Sequence, residues 1–105
     1  MFKVIGTDTY LEELSKWPKT DKEIADRFPL KLSENPFQGK PLNYKYLREK
    51  KIKEKRIYYL IYSDLNLVLI VAASGKKDQQ TTINHIKDNL DEFRKVAESI
   101  SRQVS

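Results

Sequence analysis

Arg56-Ile57-Tyr58-Tyr59-Leu60-Ile61-Tyr62, Ser63-Asp64-Leu65-Asn66, then Leu67-Val68-Leu69-Ile70-Val71-Ala72-Ala73 is the stretch that decides the fold. The first run is rich in aromatic and β-branched residues, which suit a pleated surface. The last run is uninterruptedly apolar, the mark of a strand covered on both faces. Four turn-forming residues join them, so the pair reads as a β-hairpin. The apolar run is seven residues long, far short of the ~20 that span a bilayer as a helix.

Upstream, Tyr44 to Ile52 alternates loosely and reads as a third, basic strand, and Phe2 to Gly6 as a short first one. Two helices lie between them. Thr9-x-x-Glu12 and Thr20-x-x-Glu23 have the form of capping boxes, and apolar residues follow each at helical spacing. Pro18 ends the first helix. Pro29 inside the second predicts a kink or a new turn that carries Leu30 and Leu32 inward. Asn35 to Pro41 reads as a loop on its turn residues. Downstream, Asp78 is placed to cap a long final helix, where Ile83, Ile86, Leu90, Phe93, Ala97, Ile100 and Val104 form a narrow apolar seam. That seam either covers one face of the sheet or packs its end on another chain.

The expected layout is α+β in one domain over residues 1–105: strand 2–6, helices 8–17 and 21–34, strands 44–52, 55–62 and 67–73, and helix 78–101. That is a four-stranded, mostly antiparallel sheet with two N-terminal helices and a long C-terminal helix. A chain of this length has a core adequate for folding without staples.

The net charge of +5 is not spread evenly. Residues 40–56 carry eight Lys/Arg (Lys40, Lys45, Arg48, Lys50, Lys51, Lys53, Lys55, Arg56) against Glu49 and Glu54, while the flanking regions nearly balance. A basic segment interleaved with Tyr44 and Tyr46, and running into Tyr58, Tyr59 and Tyr62, suits a polyanion with unstacked bases. The blander reading is a lysine-rich edge strand that resists aggregation, and the interleaved aromatics favour the polyanion. The sequence has no cysteine, which removes disulfides, thiolate metal sites and a cysteine nucleophile. His85 is the single histidine, so no metal site is expected, and no Walker loop or dinucleotide fingerprint is present; no cofactor is expected. No serine lies on a nucleophile elbow. The N-terminus lacks the apolar core of a secretory signal, which makes the cytoplasm the expected location.

Cations can still do chemistry. RNA is cut when its 2′-hydroxyl attacks the neighbouring phosphate. An arginine fork can hold the charge that builds on phosphorus, and a lysine crowded by other cations can act as a base. Arg48, Lys50, Lys51, Lys53, Lys55 and Arg56 supply such crowding.

The order of these segments resembles the RelE/ParE toxin superfamily. The resemblance is carried by the helical pair, Asn35-Pro36-x-x-Gly39-Lys40-Pro41-Leu42, Leu47-Arg48, Arg56-Ile57-Tyr58-Tyr59, the turn at Asp64 and Gly75-Lys76-Lys77. Leu47-Arg48-Glu49-Lys50-Lys51 and Lys76-Lys77-Asp78-Gln79-Gln80 are similar to its archaeal RelE-like branch. The likeness covers residues 1 to 90. It implies the toxin of a type II toxin–antitoxin system, partnered by a cognate antitoxin and acting on mRNA in the ribosome as an endonuclease (an mRNA interferase). The antitoxin would be an amphipathic segment lying over the sheet face or displacing the final helix seam. The alternative within the same fold is a non-catalytic member, such as a gyrase-inhibiting ParE-like toxin or a degenerate RNA- or ribosome-binding protein. A general nucleic-acid or protein-interaction module is a third class.

By the same resemblance, Arg56 falls at the catalytic arginine of the third family strand and Lys77 at the basic position after the fourth, with Arg48 and Lys50 as further catalytic candidates. Lys45, Lys51, Lys53, Lys55, Lys76, Tyr59 and His85 are the RNA-binding candidates. Ile83 stands where many members carry a tyrosine. His85, Tyr58 or Tyr59 would then substitute as the proton carrier, or the protein would bind RNA with little cleavage.

Overall fold

In the computed structural model the described residues are 1–104; Ser105, and the side chain of Val104 that the periodicity put on the seam, lie outside them. The elements are β1 (Lys3–Gly6), α1 (Asp8–Ser15), α2 (Lys19–Glu34), β2 (Lys40–Leu42), β3 (Tyr44–Ile52), β4 (Lys55–Tyr62), β5 (Leu67–Gly75), α3 (Gln79–Asp88) and α4 (Leu90–Val104). The α+β layout is the expected one. The sheet has five strands rather than four, in the order β1-β5-β4-β3-β2. β1 pairs parallel with β5 and the remaining pairs are antiparallel. The added strand is β2, formed where Lys40 and Pro41 meet Glu49 and Arg48 across the sheet edge. A proline belongs at such an edge, where its missing N–H is not needed.

Alternation in β4 divides the core. Ile57, Tyr59 and Ile61 pack with Tyr10, Leu14, Ala25, Phe28 and Leu32 under α1 and α2. Tyr58, Leu60 and Tyr62 pack with Leu47, Ile83, Ile86 and Ala97 under α3 and α4. The apolar seam thus covers a sheet face, with Leu90, Phe93 and Ile100 partly buried against it.

Several local expectations are corrected. Thr7, not Thr9, caps α1: its hydroxyl accepts the Tyr10 N–H at 3.2 Å. α2 begins after Pro18 with no side-chain cap, so Thr20 is already inside the helix. α2 runs through Pro29 without a new start. Its buried line is Asp21, Ala25, Phe28 and Leu32, and an unbroken helix turns Leu30 outward, 66% exposed. Asp78 precedes α3 but makes no side-chain cap bond. The final helix is two helices. Asn89 (φ −122°, ψ 22°) ends α3, its amide Nδ2 donates to the His85 carbonyl at 2.8 Å, and its own carbonyl accepts from Phe93 N–H at 3.1 Å. Asparagine offers the backbone that local alternative, which is why it favours helix ends.

One irregularity aims the site. The β4–β5 register shifts between Tyr58 and Tyr59, whose partners are Ala72 and Ile70. Val71 is the extra residue of a bulge, so Val71 and Ala72 both join the α3/α4-side core and the following alternation is inverted. Ser74 then faces Tyr58, and their hydroxyls hydrogen-bond at 2.8 Å in the buried interior.

Candidate nucleic-acid interface at the basic end of the sheet

The two-residue turn Lys53–Glu54 fixes the β3–β4 register, pairing Ile52 with Lys55, Lys51 with Arg56, Lys50 with Ile57 and Glu49 with Tyr58. Because side chains alternate, the basic segment is divided between two faces. It is not one concave surface.

On the α1/α2 side the cations are engaged by the protein itself. Arg48 lies over the Phe37 ring at 5.1 Å; its Nε donates to the Lys45 carbonyl (2.9 Å) and its Nη1 to the carbonyls of Phe37 (2.9 Å) and Gly39 (2.7 Å). It staples the loop after α2 to β3. Tyr59 completes the staple from below, its buried hydroxyl accepting the Gly39 N–H at 2.9 Å. Gly39 is required there, since a Cβ would sit 2.5 Å from that hydroxyl and 2.6 Å from the Glu49 carbonyl. Lys50 places its ammonium 5.9 Å from the Phe28 ring centroid. Lys53 and Lys55 pair with Asp21 at 3.3 and 3.5 Å, and Lys55 also lies over Trp17.

On the other side a cleft of ≈ 480 Å³ opens between Gln38, Gly39, Lys40, Glu49, Lys50, Lys51, Arg56 and Gln79. Arg56 is 8% exposed, and Nη1 makes one bond, to the Lys55 carbonyl at 3.3 Å. Glu49 is 7% exposed; it accepts two bonds from the Gln79 amide, at 2.9 and 3.3 Å, and forms no ion pair among the described residues. Burial pushes the Tyr58 phenol up, against the lowering effect of the Ser74 hydrogen bond, and burial pushes Tyr59 up likewise.

The site candidates therefore separate. Arg56, Lys50 and Lys51 border the cleft, together with Lys40. Arg48 has Nε and Nη1 on three carbonyls, and Tyr59 is fully buried and offers no face to a base. Lys53 and Lys55 share the one carboxylate of Asp21, which offsets one of their two charges. Lys76 and Lys77 stand exposed in the turn Lys76–Asp78, and the residue reaching the cleft from that connection is Gln79. Lys45 is exposed over Phe37 at 5.6 Å. His85 lies at the other end of α3, on an apolar cleft of ≈ 450 Å³ shared with Thr7, Val71, Phe93 and Val96. Ile83 is in the core, as the seam required, so a tyrosine there would have to displace packing. Tyr58 is buried and bonded to Ser74.

Glu49 and Gln79 were not singled out from the sequence. The signal for Glu49 was available: it shares the parity of Leu47 and Lys51, and a two-residue turn places it beside Tyr58, two strand positions from Arg56. Among the described residues no cluster of three His, Asp or Glu side chains could hold a metal ion, and no helix is long and apolar enough to cross a membrane.

No protein-family model matches the sequence, and no curated protein matches it. Solved structures do. The isolated RelE toxin of E. coli superposes with a TM-score of 0.65 at 14% identity, covering 84% of this chain and 98% of the toxin. The chain in the RelBE2 toxin–antitoxin complex of Mycobacterium tuberculosis gives 0.63 at 24% identity, over 70% of this chain and 96% of that one. The archaeal RelE–RelB complex of Pyrococcus horikoshii gives 0.61 at 14%, over 71% and 94%. The shared property is the fold of the RelE/ParE toxins, and it spans bacterial and archaeal members alike instead of singling out the archaeal branch.

Proposed function

We propose that this chain is the toxin-fold member of a type II toxin–antitoxin pair that binds RNA, or the RNA-rich ribosome, through the Arg56 cleft and cleaves it poorly or not at all. The fold supports the toxin role, and the solved RelBE complexes of that fold support an antitoxin partner. One observation carries the choice of binding over cleavage. The cleft holds Arg56 beside Lys40 and Lys51, with the Lys50 ammonium turned to Phe28 on the opposite face, yet its inner wall is a buried carboxylate, Glu49, fixed by a neutral amide, Gln79. Transition-state stabilisation at phosphorus needs convergent positive charge in a water-poor site, and a buried negative group lining the same cleft, two strand positions from Arg56, opposes it. Rim lysines, by contrast, suffice for phosphate binding.

A nuclease is the second reading, favoured by the position of Arg56 opposite Lys51 in the same cleft. A single experiment separates them. Programmed ribosomes are incubated with the purified protein, and both binding and primer-extension stops on the mRNA are measured for the wild type, Arg56→Ala, Lys51→Ala and Lys77→Ala. The binding reading expects co-sedimentation that falls with Arg56→Ala and Lys51→Ala, and no new mRNA ends. New ends that vanish with Arg56→Ala would establish the nuclease instead. Growth inhibition accompanied by loss of gyrase supercoiling, with no ribosome binding, would move the target to gyrase.

A further inference from the structure

Beyond the cleft, β3 carries a second feature at its opposite end. Tyr44 and Tyr46 are 40% and 39% exposed, and their rings stack on one another, centroids 5.1 Å apart and planes 15° from parallel. Phe37, 38% exposed, lies beneath Lys45 at 5.6 Å and Arg48 at 5.1 Å. Neither tyrosine belongs to either core cluster. Beside Tyr46 a cleft of ≈ 440 Å³ opens against Tyr62, Leu90 and Arg94. That volume is ample for one base. Its polar rim is Asp91 together with the Asp64–Arg94 pair, bonded at 2.6 and 3.0 Å, so it offers no surplus positive charge to a phosphate. The chemistry here is that of flat, apolar stacking beside a cation-rich strand.

We propose that the Tyr44–Tyr46 pair is a stacking platform for unpaired bases of single-stranded RNA, holding the strand whose phosphates lie on the Lys40/Lys51/Arg56 cleft. This rests on the RNA-binding reading above. Tyr46 borders Tyr62 and Arg94 on the α3/α4 side of the sheet, the side to which Lys51 and Arg56 belong. Five strand residues, about 17 Å, separate Tyr46 from Lys51, so one strand of a few nucleotides can engage both ends of β3. Aromatic stacking tolerates any base, so the platform adds affinity for single strands without adding sequence preference.

The test is fluorescence anisotropy of a twelve-nucleotide oligoadenylate and of a duplex RNA of the same length, titrated with wild type, Tyr44→Ala/Tyr46→Ala, Tyr44→Phe/Tyr46→Phe and Lys51→Ala. The alanine pair should weaken single-strand binding tenfold or more, as expected from the loss of one stacked base. It should leave duplex binding and the salt dependence unchanged. The phenylalanine pair should bind like the wild type. Lys51→Ala should weaken both RNAs and flatten the salt dependence. Wild-type affinity in the alanine pair, alongside a loss in Lys51→Ala, overturns the platform and keeps the RNA reading. An equal loss on duplex and single strand also overturns it. Failure of the wild type to bind either RNA removes both. Circular dichroism of the alanine pair verifies that the edge hairpin is intact.

Discussion

The two faces of one basic segment are put to opposite uses. Toward α1 and α2, Arg48, Lys53 and Lys55 are bound to carbonyls and to Asp21, and they hold a loop and a turn in place. Toward α3, Lys51 and Arg56 border an open cleft and have no carboxylate within ion-pair reach among the described residues. Eight cations in seventeen residues therefore do not make one phosphate-binding surface. A strand charged at consecutive positions, as at Arg48–Lys51, charges both faces, and what the neighbouring helices place opposite each face decides what remains for a ligand.

The sharpest way to break this contrast is to remove one arginine from each face. Arg48→Ala should cost about 3 kcal/mol, from three lost carbonyl bonds and the Phe37 contact, while RNA affinity per folded molecule stays near that of the wild type. Arg56→Ala should weaken RNA binding, and because its side chain is buried it should also cost about 1–2 kcal/mol of stability. Urea denaturation beside anisotropy reads both quantities. Matching effects from the two variants would mean that the faces do not differ in role.

Asp21→Asn gives a smaller effect and sharpens the same point. It should lower stability by about 1–2 kcal/mol, since the carboxylate is largely buried while Lys53 remains half exposed. It also releases Lys53 and Lys55, so the salt dependence of RNA binding should steepen. An unchanged slope would show that these lysines lie outside the path of the strand.

The weakest effect near neutrality is that of pH. Burial raises the phenols of Tyr10 and Tyr62 to about 12, and those of Tyr58 and Tyr59 rise in the same direction. A group whose pKa is raised in the folded state favours folding fully below its unfolded value. That advantage is lost as the pH climbs through the folded value. Stability should thus be insensitive to these groups up to about pH 10 and decline between pH 10 and 12, followed by circular dichroism. Loss beginning below pH 9 would argue against buried, neutral phenols on both faces.

The β4–β5 hairpin and the seam over Ile83–Ile100 were legible because each is a local pattern: composition, turn chemistry, periodicity. Pro29 misled, because an isolated proline argues for a break while the Ala25–Phe28–Leu32 stripe packed on the sheet keeps α2 whole. The break at Asn89 was hidden under an apolar period that continues across it. Arg56 was legible as a site candidate through strand order and resemblance. The engagement of Arg48, Lys53 and Lys55 was not, since their partners lie in the loop after α2, on the backbone of β3 itself and on α2.

The sequence by itself determined that a tyrosine-rich hairpin would carry a concentrated basic strand beside it, because propensity and charge act between near neighbours along the chain. Only the tertiary structure decided which of those charges meet solvent. The Val71 bulge, the packing of α2 and the placement of Gln79 against Glu49 bring together residues far apart in sequence, and the field at a cleft is the sum over everything folded around it.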